Sequence, residues 1–201
     1  MLYIVGIGPG HKEYILPKAV SVLNKCNIIL GFSRAIESID YIESEKIIIN
    51  SLEKILNASN EYKQEDVAIV ASGDPTFYGI TNYFKKNYIG DIKVIPGISS
   101  FQYLTCKLNM AWNNAFLGSL HGREEDFIEN VRRYKISIWL TDKKNNPAKL
   151  SGILIKESID CNVIVGENLS YENEVITQGS PKDYIGNEYS DLSILIVENL
   201  N

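Results

Sequence analysis

Three glycine-rich segments directly follow predicted strands, and their residue types suit a ligand-binding edge. They are residues 6–10 (GIGPG), 72–79 (SGDPTFYG) and 96–100 (PGISS). A turn without Cβ atoms lets the backbone approach a ligand closely. In parallel α/β sheets, ligands bind outside the carboxyl ends of the strands. We therefore expect the three turns to converge on one edge of one sheet.

The first turn does not have the spacing of a nucleotide site. A GxGxxG dinucleotide motif needs glycine at position 11, where His11 stands, and Pro9 has no amide proton to offer a pyrophosphate. The sequence also lacks GxxxxGK[ST]. We expect a ligand that is not held by its phosphates. Purely structural roles stay open, with Asp74 as a helix cap before Pro75 and the PGISS serines as N-caps.

The elements that position these turns alternate between strand and helix, which is the α/β pattern. Buried strands are predicted from continuous apolar runs at 2–7, 27–30, 46–49, 67–71, 92–95, 136–141, 162–166 and 193–198. Apolar residues at the spacing of a helix begin at Leu16, Leu52 and Phe127. Further helix starts are predicted at Asn146-Pro147 and Ser180-Pro181. The segment 109–114 (NMAWNN) breaks the pattern. We predict two α/β subdomains, residues 1–110 and 111–201; a single continuous sheet is the alternative.

Composition narrows the class of partner. The chain has 201 residues, 45% of them hydrophobic, and a formal net charge of −5, so nucleic acid is an unfavoured partner. No apolar run is long enough to span a membrane, and the N-terminus has no signal-peptide pattern. Three separated cysteines and two histidines provide neither a disulfide framework nor a metal site. We expect a cytoplasmic protein without its own metal.

The order and spacing of GIGPG, SGDPTFYG and PGISS resemble the tetrapyrrole (corrin/porphyrin) methylase family. The resemblance implies the fold of class III S-adenosylmethionine methyltransferases, with two α/β subdomains, the cofactor in the cleft between them, and a homodimer. Within the family, residues 119–123 (SLHGR) and the length are most similar to members that methylate C5 of cobalt-precorrin-7. The implied activity is this step of anaerobic cobalamin biosynthesis, with S-adenosylhomocysteine as the other product.

The resemblance also implies which residues contact the cofactor. They are Gly8, Pro9, Asp74, Phe77, Ser99, Ser100, Leu140, Thr141 and Leu169. Asp74 would lie beside the ribose or amino acid part, and Phe77 would add apolar and backbone contact. The assignments in the C-terminal half rest on strand ends alone, because no motif covers them.

The side chains assigned to the substrate are Arg123 and His121. A guanidinium binds carboxylates through two parallel hydrogen bonds, and a tetrapyrrole carries many acetate and propionate arms. An imidazole can take a proton near neutral pH. The alternative for each is a loop residue with no role in substrate binding. Arg34, before a predicted helix, faces either substrate carboxylates or solvent.

Two other functions stay open: methylation of another corrin carbon or another substrate such as diphthine, and a non-enzymatic ligand-binding module. Some relatives fuse the C5 activity to a domain that methylates C15 and removes a carboxylate. We expect that chemistry to belong to a separate protein of the same pathway.

Overall fold

The computed structural model describes residues 1–200 and contains two compact units, Met1–Ser100 and a second unit that begins at Phe101. Helix α5 (Ser100–Lys107) begins at the last residue of the first unit. The junction predicted at residues 110 and 111 lies beyond this helix. Among residues 1–200, no helix has the length and apolar character required to cross a bilayer.

The first unit alternates strands and helices along the chain. Its elements are β1 (Leu2–Gly6), α1 (Pro17–Leu23), β2 (Ile28–Gly31), α2 (Ser33–Glu37), β3 (Glu45–Ile48), α3 (Leu52–Glu61), β4 (Val67–Ala71), α4 (Thr81–Asn87) and β5 (Ile92–Ile95). The strands form one parallel sheet in the order β3-β2-β4-β1-β5. A short 3-10 helix, Lys12–Tyr14, follows β1.

Both faces of this sheet are covered, which explains the continuous apolar runs. Successive strand residues point to opposite faces. Val5 packs in one core with residues of α1 and α2, and Ile4 packs in the other with residues of α3 and α4. The edge strand β3 departs from the prediction of a buried strand. Ile48 is 51% exposed, because an edge strand has a neighbour on one side only.

The second unit holds a mixed sheet. Its further elements are β6 (Phe116–Ser119), α6 (Phe127–Arg133), β7 (Ile136–Leu140), α7 (Pro147–Lys156), β8 (Cys161–Glu167), β9 (Val175–Gly179) and β10 (Ser193–Asn199). The order is β6-β7-β10-β8-β9; β6 and β7 are parallel and the other pairs antiparallel. The sequence prediction omitted β6 and β9, the two edge strands of this sheet.

The two predicted helix starts of this unit have different outcomes. Asn146 caps α7 as predicted, and its Oδ1 accepts from the amide of Lys149 at 2.9 Å. Ser180 precedes only the 3-10 helix Pro181–Tyr184, in a capping box closed by Asp183. The backbone becomes extended at Ile185, so this segment does not continue as an α-helix.

Candidate functional site

The three glycine turns lie together at the carboxyl edge of the first sheet, as the sequence predicts. They follow β1, β4 and β5, which are neighbours in that sheet. Gly8 and Gly73 form an isolated antiparallel bridge, in which the Gly73 amide donates to the Gly8 carbonyl at 2.7 Å. The return bond, from the Gly8 amide to the Gly73 carbonyl, is 3.3 Å long. The turns after β1 and β4 are therefore joined through their backbones.

The third turn lies so close to the other two that only glycine fits at the contact. A Cβ on Gly97 would lie 2.1 Å from the Gly73 carbonyl oxygen, and one on Gly6 would lie 2.7 Å from the Gly97 nitrogen. Gly73 also has a φ of +68°, which glycine adopts without the steric cost of a Cβ. These glycines are required first of all by the packing of the turns against one another.

Asp74 connects the second turn to the third. Its Oδ1 accepts from the amide of Thr76 at 2.7 Å and from the Thr76 hydroxyl, while Oδ2 accepts from the amide of Gly97 at 3.3 Å. A carboxylate has about four lone-pair sites, so Oδ2 can accept a further donor. Asp74 thus braces the turns and still has acceptor capacity.

The remaining residues assigned to the cofactor in this unit lie around the same edge. Gly8 has a φ of +75°, and Pro9 follows it half-buried. Phe77 meets the ring of Tyr78 edge-on, with centroids 4.9 Å apart. Ser99 is 4% exposed, and Ser100 is the first residue of α5.

In the second unit, the loop after β6 is held against the end of β7. The Leu120 amide donates to the Leu140 carbonyl at 2.8 Å, and the His121 Nδ1 lies 2.9 Å from the Thr141 carbonyl oxygen. A carbonyl only accepts, so this bond requires the proton on Nδ1. In the neutral ring, the lone pair is then on Nε2. The exposed His121 ring is thereby held in one tautomer.

Asp142 fixes the next residue of the same loop, a role that sequence analysis missed. Its Oδ2 accepts from the amide of Gly122 at 2.9 Å, and its Oδ1 accepts from the amide of Asn145 at 2.6 Å. Burial opposes ionisation, but these amide bonds, with further favourable interactions from Lys144 and His121, lower the Asp142 pKa below its ordinary value. The sequence feature that could have indicated this role is the position of Asp142, directly after the predicted strand 136–141.

The other predicted residues of this unit have different surroundings. The Thr141 hydroxyl lies 2.8 Å from the Ser193 carbonyl oxygen and 2.7 Å from the Ser193 hydroxyl, and Thr141 is 2% exposed. Leu140 is half-buried at the end of β7, and Leu169 is buried after β8. Arg123 is exposed. The structure thus brings His121, Leu140 and Thr141 together around one strand end.

In the part of the chain that the structure describes, no metal centre accompanies these side chains. Within residues 1–200, no group of three or more histidine, cysteine, aspartate or glutamate side chains could hold a metal ion. The three cysteines are unpaired.

Comparison with known proteins decides the family. The family model for tetrapyrrole (corrin/porphyrin) methylases matches residues 1–183. The chain belongs to this family. The resemblance seen in the three glycine turns is confirmed, and with it the predicted fold class.

Several members of the tetrapyrrole methylase family are similar over the whole chain. A probable cobalt-precorrin-7 C(5)-methyltransferase of Methanocaldococcus jannaschii is 34% identical, over 98% of each chain. The crystal structure of precorrin-6Y methylase (CbiE) from Archaeoglobus fulgidus has a TM-score of 0.79 at 25% identity, covering 100% of this chain and 99% of that one. Uroporphyrin-III C-methyltransferase from Thermus thermophilus, complexed with S-adenosylhomocysteine, shares the fold, with a TM-score of 0.80 at 17% identity, over 98% of this chain and 96% of that one.

Proposed function

We propose that this chain transfers a methyl group from S-adenosylmethionine to C5 of cobalt-precorrin-7, a step of cobalamin biosynthesis. The observation that carries the proposal is the similarity to the Methanocaldococcus jannaschii protein across 98% of both chains. Full coverage of both chains favours the same reaction over a shared fold alone. The segment SLHGR favours the same position on the macrocycle.

The glycine edge of the first unit fits S-adenosylmethionine, which supplies an electrophilic methyl group on a positively charged sulfur. The spare acceptor capacity of Asp74 Oδ2 suits a hydroxyl or ammonium donor. Gly8 and Pro9 present a turn whose backbone a ligand can approach, and Phe77 offers an apolar ring. The hydroxyls of Ser99 and Ser100 complete this part of the proposed cofactor site.

In the second unit, we assign Leu140, Thr141 and Leu169 to the same cofactor as residues that shape its surroundings. The Thr141 hydroxyl and carbonyl already bond to Ser193 and His121. Thr141 therefore contributes by holding a strand end in place, and Leu140 and Leu169 by apolar packing.

His121 and Arg123 act on the substrate in this proposal. Methylation of an unsaturated ring carbon leaves a proton to be removed, and the lone pair of His121 Nε2 is a suitable acceptor. Its Nδ1 proton is held by the Thr141 carbonyl at 2.9 Å, so the ring is oriented before the reaction begins. Arg123 binds a peripheral carboxylate of the macrocycle.

The proposal is tested by incubating the purified protein with S-adenosylmethionine and cobalt-precorrin-7. Mass spectrometry would detect one added methyl group, and NMR of the product would locate it. Parallel reactions with other precorrins and with a diphthine precursor test the alternative substrates. Methylation at a different carbon would contradict the proposal, as would activity on an alternative substrate only.

Variants of the loop after β6 test the two residue roles. If His121 accepts the proton, His121→Gln should lower kcat by about 100-fold or more and remove a dependence of kcat on pH. Arg123→Lys keeps the charge and loses the planar fork, so it should raise KM and leave the affinity for S-adenosylhomocysteine unchanged. Wild-type kinetics for both variants would show that neither side chain takes part in the reaction and that the loop has a structural role only.

Family membership also supports a homodimer, which light scattering after size exclusion would test. The three unpaired thiols support a cytoplasmic location.

A further inference from the structure

A cavity of about 460 Å³ opens at the carboxyl ends of β2 and β4 in the first unit. Its lining includes Phe32, Arg34, Asn50, Ser72, Gly79 and Ile80. Its volume falls within the range of small-molecule sites. None of its lining residues belongs to the cofactor contacts assigned above.

The topology explains why the sheet opens there. After β2 the chain enters α2, whose Ala35 and Ile36 pack in the core on one face of the sheet. After β4 the chain enters α4, whose Phe84 packs in the core on the opposite face. Neighbouring parallel strands whose following helices lie on opposite faces leave a crevice, which is where α/β sheets bind ligands.

The cavity combines an apolar wall with hydrogen-bond donors. Phe32 is 38% exposed and Ile80 is half-buried, so both present apolar surface to the cavity, whereas Ile55 and Ile69 are fully buried behind it. Arg34 is the single charged residue in the lining, which contains no aspartate or glutamate. In a chain with a net charge of −5, this is a locally positive site.

The donors in this lining are exposed to solvent and are not engaged by the protein. Within residues 1–200, the side chains of Arg34, Asn50 and Ser72 have no hydrogen-bond or ion-pair partner. Glu37 lies one helical turn beyond Arg34, but its Oε1 accepts from the Ser33 hydroxyl at 2.5 Å. Within residues 1–200, this carboxylate forms no ion pair with the Arg34 guanidinium, whose donors are left for a ligand.

The cavity also adjoins the edge that holds the proposed cofactor turns. In the order β3-β2-β4-β1-β5, those turns follow β4, β1 and β5, and the cavity lies between β2 and β4. Ser72 and Gly79, the first and last residues of the turn after β4, both line it. A molecule in the cavity would thus lie beside the SGDPTFYG turn.

We propose that this cavity is a substrate subsite, in which Arg34, assisted by Asn50 and Ser72, binds a carboxylate arm while Phe32 and Ile80 pack against an apolar ring edge. The inference rests on the proposed function for the identity of the substrate, a polycarboxylated tetrapyrrole. Arg34 acts as a positioning residue that anchors one side of the macrocycle. This gives the substrate a contact in the first unit.

The test compares Arg34→Gln and Arg34→Lys with Arg133→Gln, a matched loss of charge at an exposed arginine on α6. Affinity for uroporphyrin I, a stable octacarboxylate porphyrin, is measured by fluorescence titration. Affinity for S-adenosylhomocysteine is measured by calorimetry, and methylation of cobalt-precorrin-7 by initial rates.

The expected result is specific to the tetrapyrrole. Arg34→Gln should raise the porphyrin Kd and the substrate KM about tenfold, the effect of one lost charge-assisted hydrogen bond. Arg34→Lys should give a smaller increase, because the charge remains but the planar fork is lost. Arg133→Gln should match the wild type, and S-adenosylhomocysteine affinity should stay constant in all variants.

The possible failures point to different errors. If the wild type methylates cobalt-precorrin-7 and Arg34→Gln has the same KM and porphyrin Kd, the subsite is overturned and the proposed function stands. If the wild type does not methylate this substrate but Arg34→Gln still weakens porphyrin binding, the proposed function fails and the anionic subsite stands. An equal loss of porphyrin and S-adenosylhomocysteine affinity would overturn the subsite, because Arg34 would then act on the cofactor or the fold.

Discussion

Replacing Asp74 by alanine should weaken cofactor binding and loosen the glycine edge. The carboxylate accepts from the Thr76 amide and hydroxyl through one oxygen and from the Gly97 amide through the other. Alanine removes all of these bonds and the acceptor capacity left on Oδ2. The turn after β4 then loses its side-chain connection to the turn after β5.

The size of the effect follows from the exposure of these groups. Hydrogen bonds to a charged group contribute about 1.5–3 kcal/mol each when buried. Asp74 is half-buried and Thr76 is exposed, so water can replace part of what is lost. We expect a total loss of about 1–2 kcal/mol of stability, which for a chain of this size lowers Tm by roughly 2–8 °C. A lost contact to the cofactor should raise the S-adenosylhomocysteine Kd about tenfold.

The assay combines calorimetry with thermal unfolding, and Asp66→Ala is the matched control. Asp66 precedes β4, whereas Asp74 follows it, and its carboxylate lies 3.3 Å from the N-terminal ammonium of Met1. Removing Asp66 therefore takes away one carboxylate at the other end of the strand. Asp74→Asn should give an intermediate effect, because its carbonyl oxygen can still accept from Thr76.

Two results would separate the roles of Asp74. A lower Tm with unchanged S-adenosylhomocysteine affinity would show that Asp74 only braces the turns. An unchanged Tm together with an unchanged S-adenosylhomocysteine affinity would refute the reasoning. Water would then replace every hydrogen bond of the carboxylate with no loss of stability. Equal losses in Asp66→Ala would show that the effect is not specific to the glycine edge.

Three further predictions concern other parts of the chain. Gly97→Ala should lower stability by about 1–3 kcal/mol in chemical denaturation, because its Cβ would lie 2.1 Å from the Gly73 carbonyl oxygen; an unchanged midpoint would show that the turns separate freely. Native protein should react with a thiol reagent at Cys106 only, since the other two cysteines are buried and burial raises the pKa of each to about 11; a fast reaction of three thiols would contradict this. Because amide bonds lower the pKa of Asp142, its contribution to loop stability should be present above its ordinary pKa of 3.8 and disappear as pH falls through the lowered value. Protection of the Gly122 amide, measured as its exchange rate relative to the intrinsic rate at the same pH, should then fall, and Asp142→Asn should remove this pH dependence.

The sequence predicts best where both faces of a strand are buried. Runs such as 67–71 are apolar throughout because alternate residues enter two different cores, and this strand was predicted with its observed bounds, Val67–Ala71. Edge strands lack this signal. Val175–Gly179 has mostly exposed residues, and Phe116–Ser119 has a glycine in a run of four, so neither shows a continuous apolar pattern.

Strand direction in the second unit depends on pairing that local periodicity does not report. The run 193–198 contains four consecutive apolar residues, yet β10 is antiparallel to both of its neighbours, β7 and β8. A buried central strand has the same composition in either direction. The pattern therefore predicts that this strand is central without predicting how it is paired.

The glycine turns show that residue types in the sequence can locate a ligand-binding edge without identifying which residues contact the ligand. Glycine is needed at position 97 because the backbone of another turn, at Gly73, lies against it, so the motif is explained without any ligand. The Asp74 carboxylate is likewise occupied in part by Gly97. What separates a binding surface from a tightly packed turn is a donor or acceptor that the protein leaves unused. Arg34 and the Nε2 of His121 meet that condition. For His121 the sequence alone does not reveal it, because the ring is oriented by the Thr141 carbonyl, which lies 20 residues along the chain.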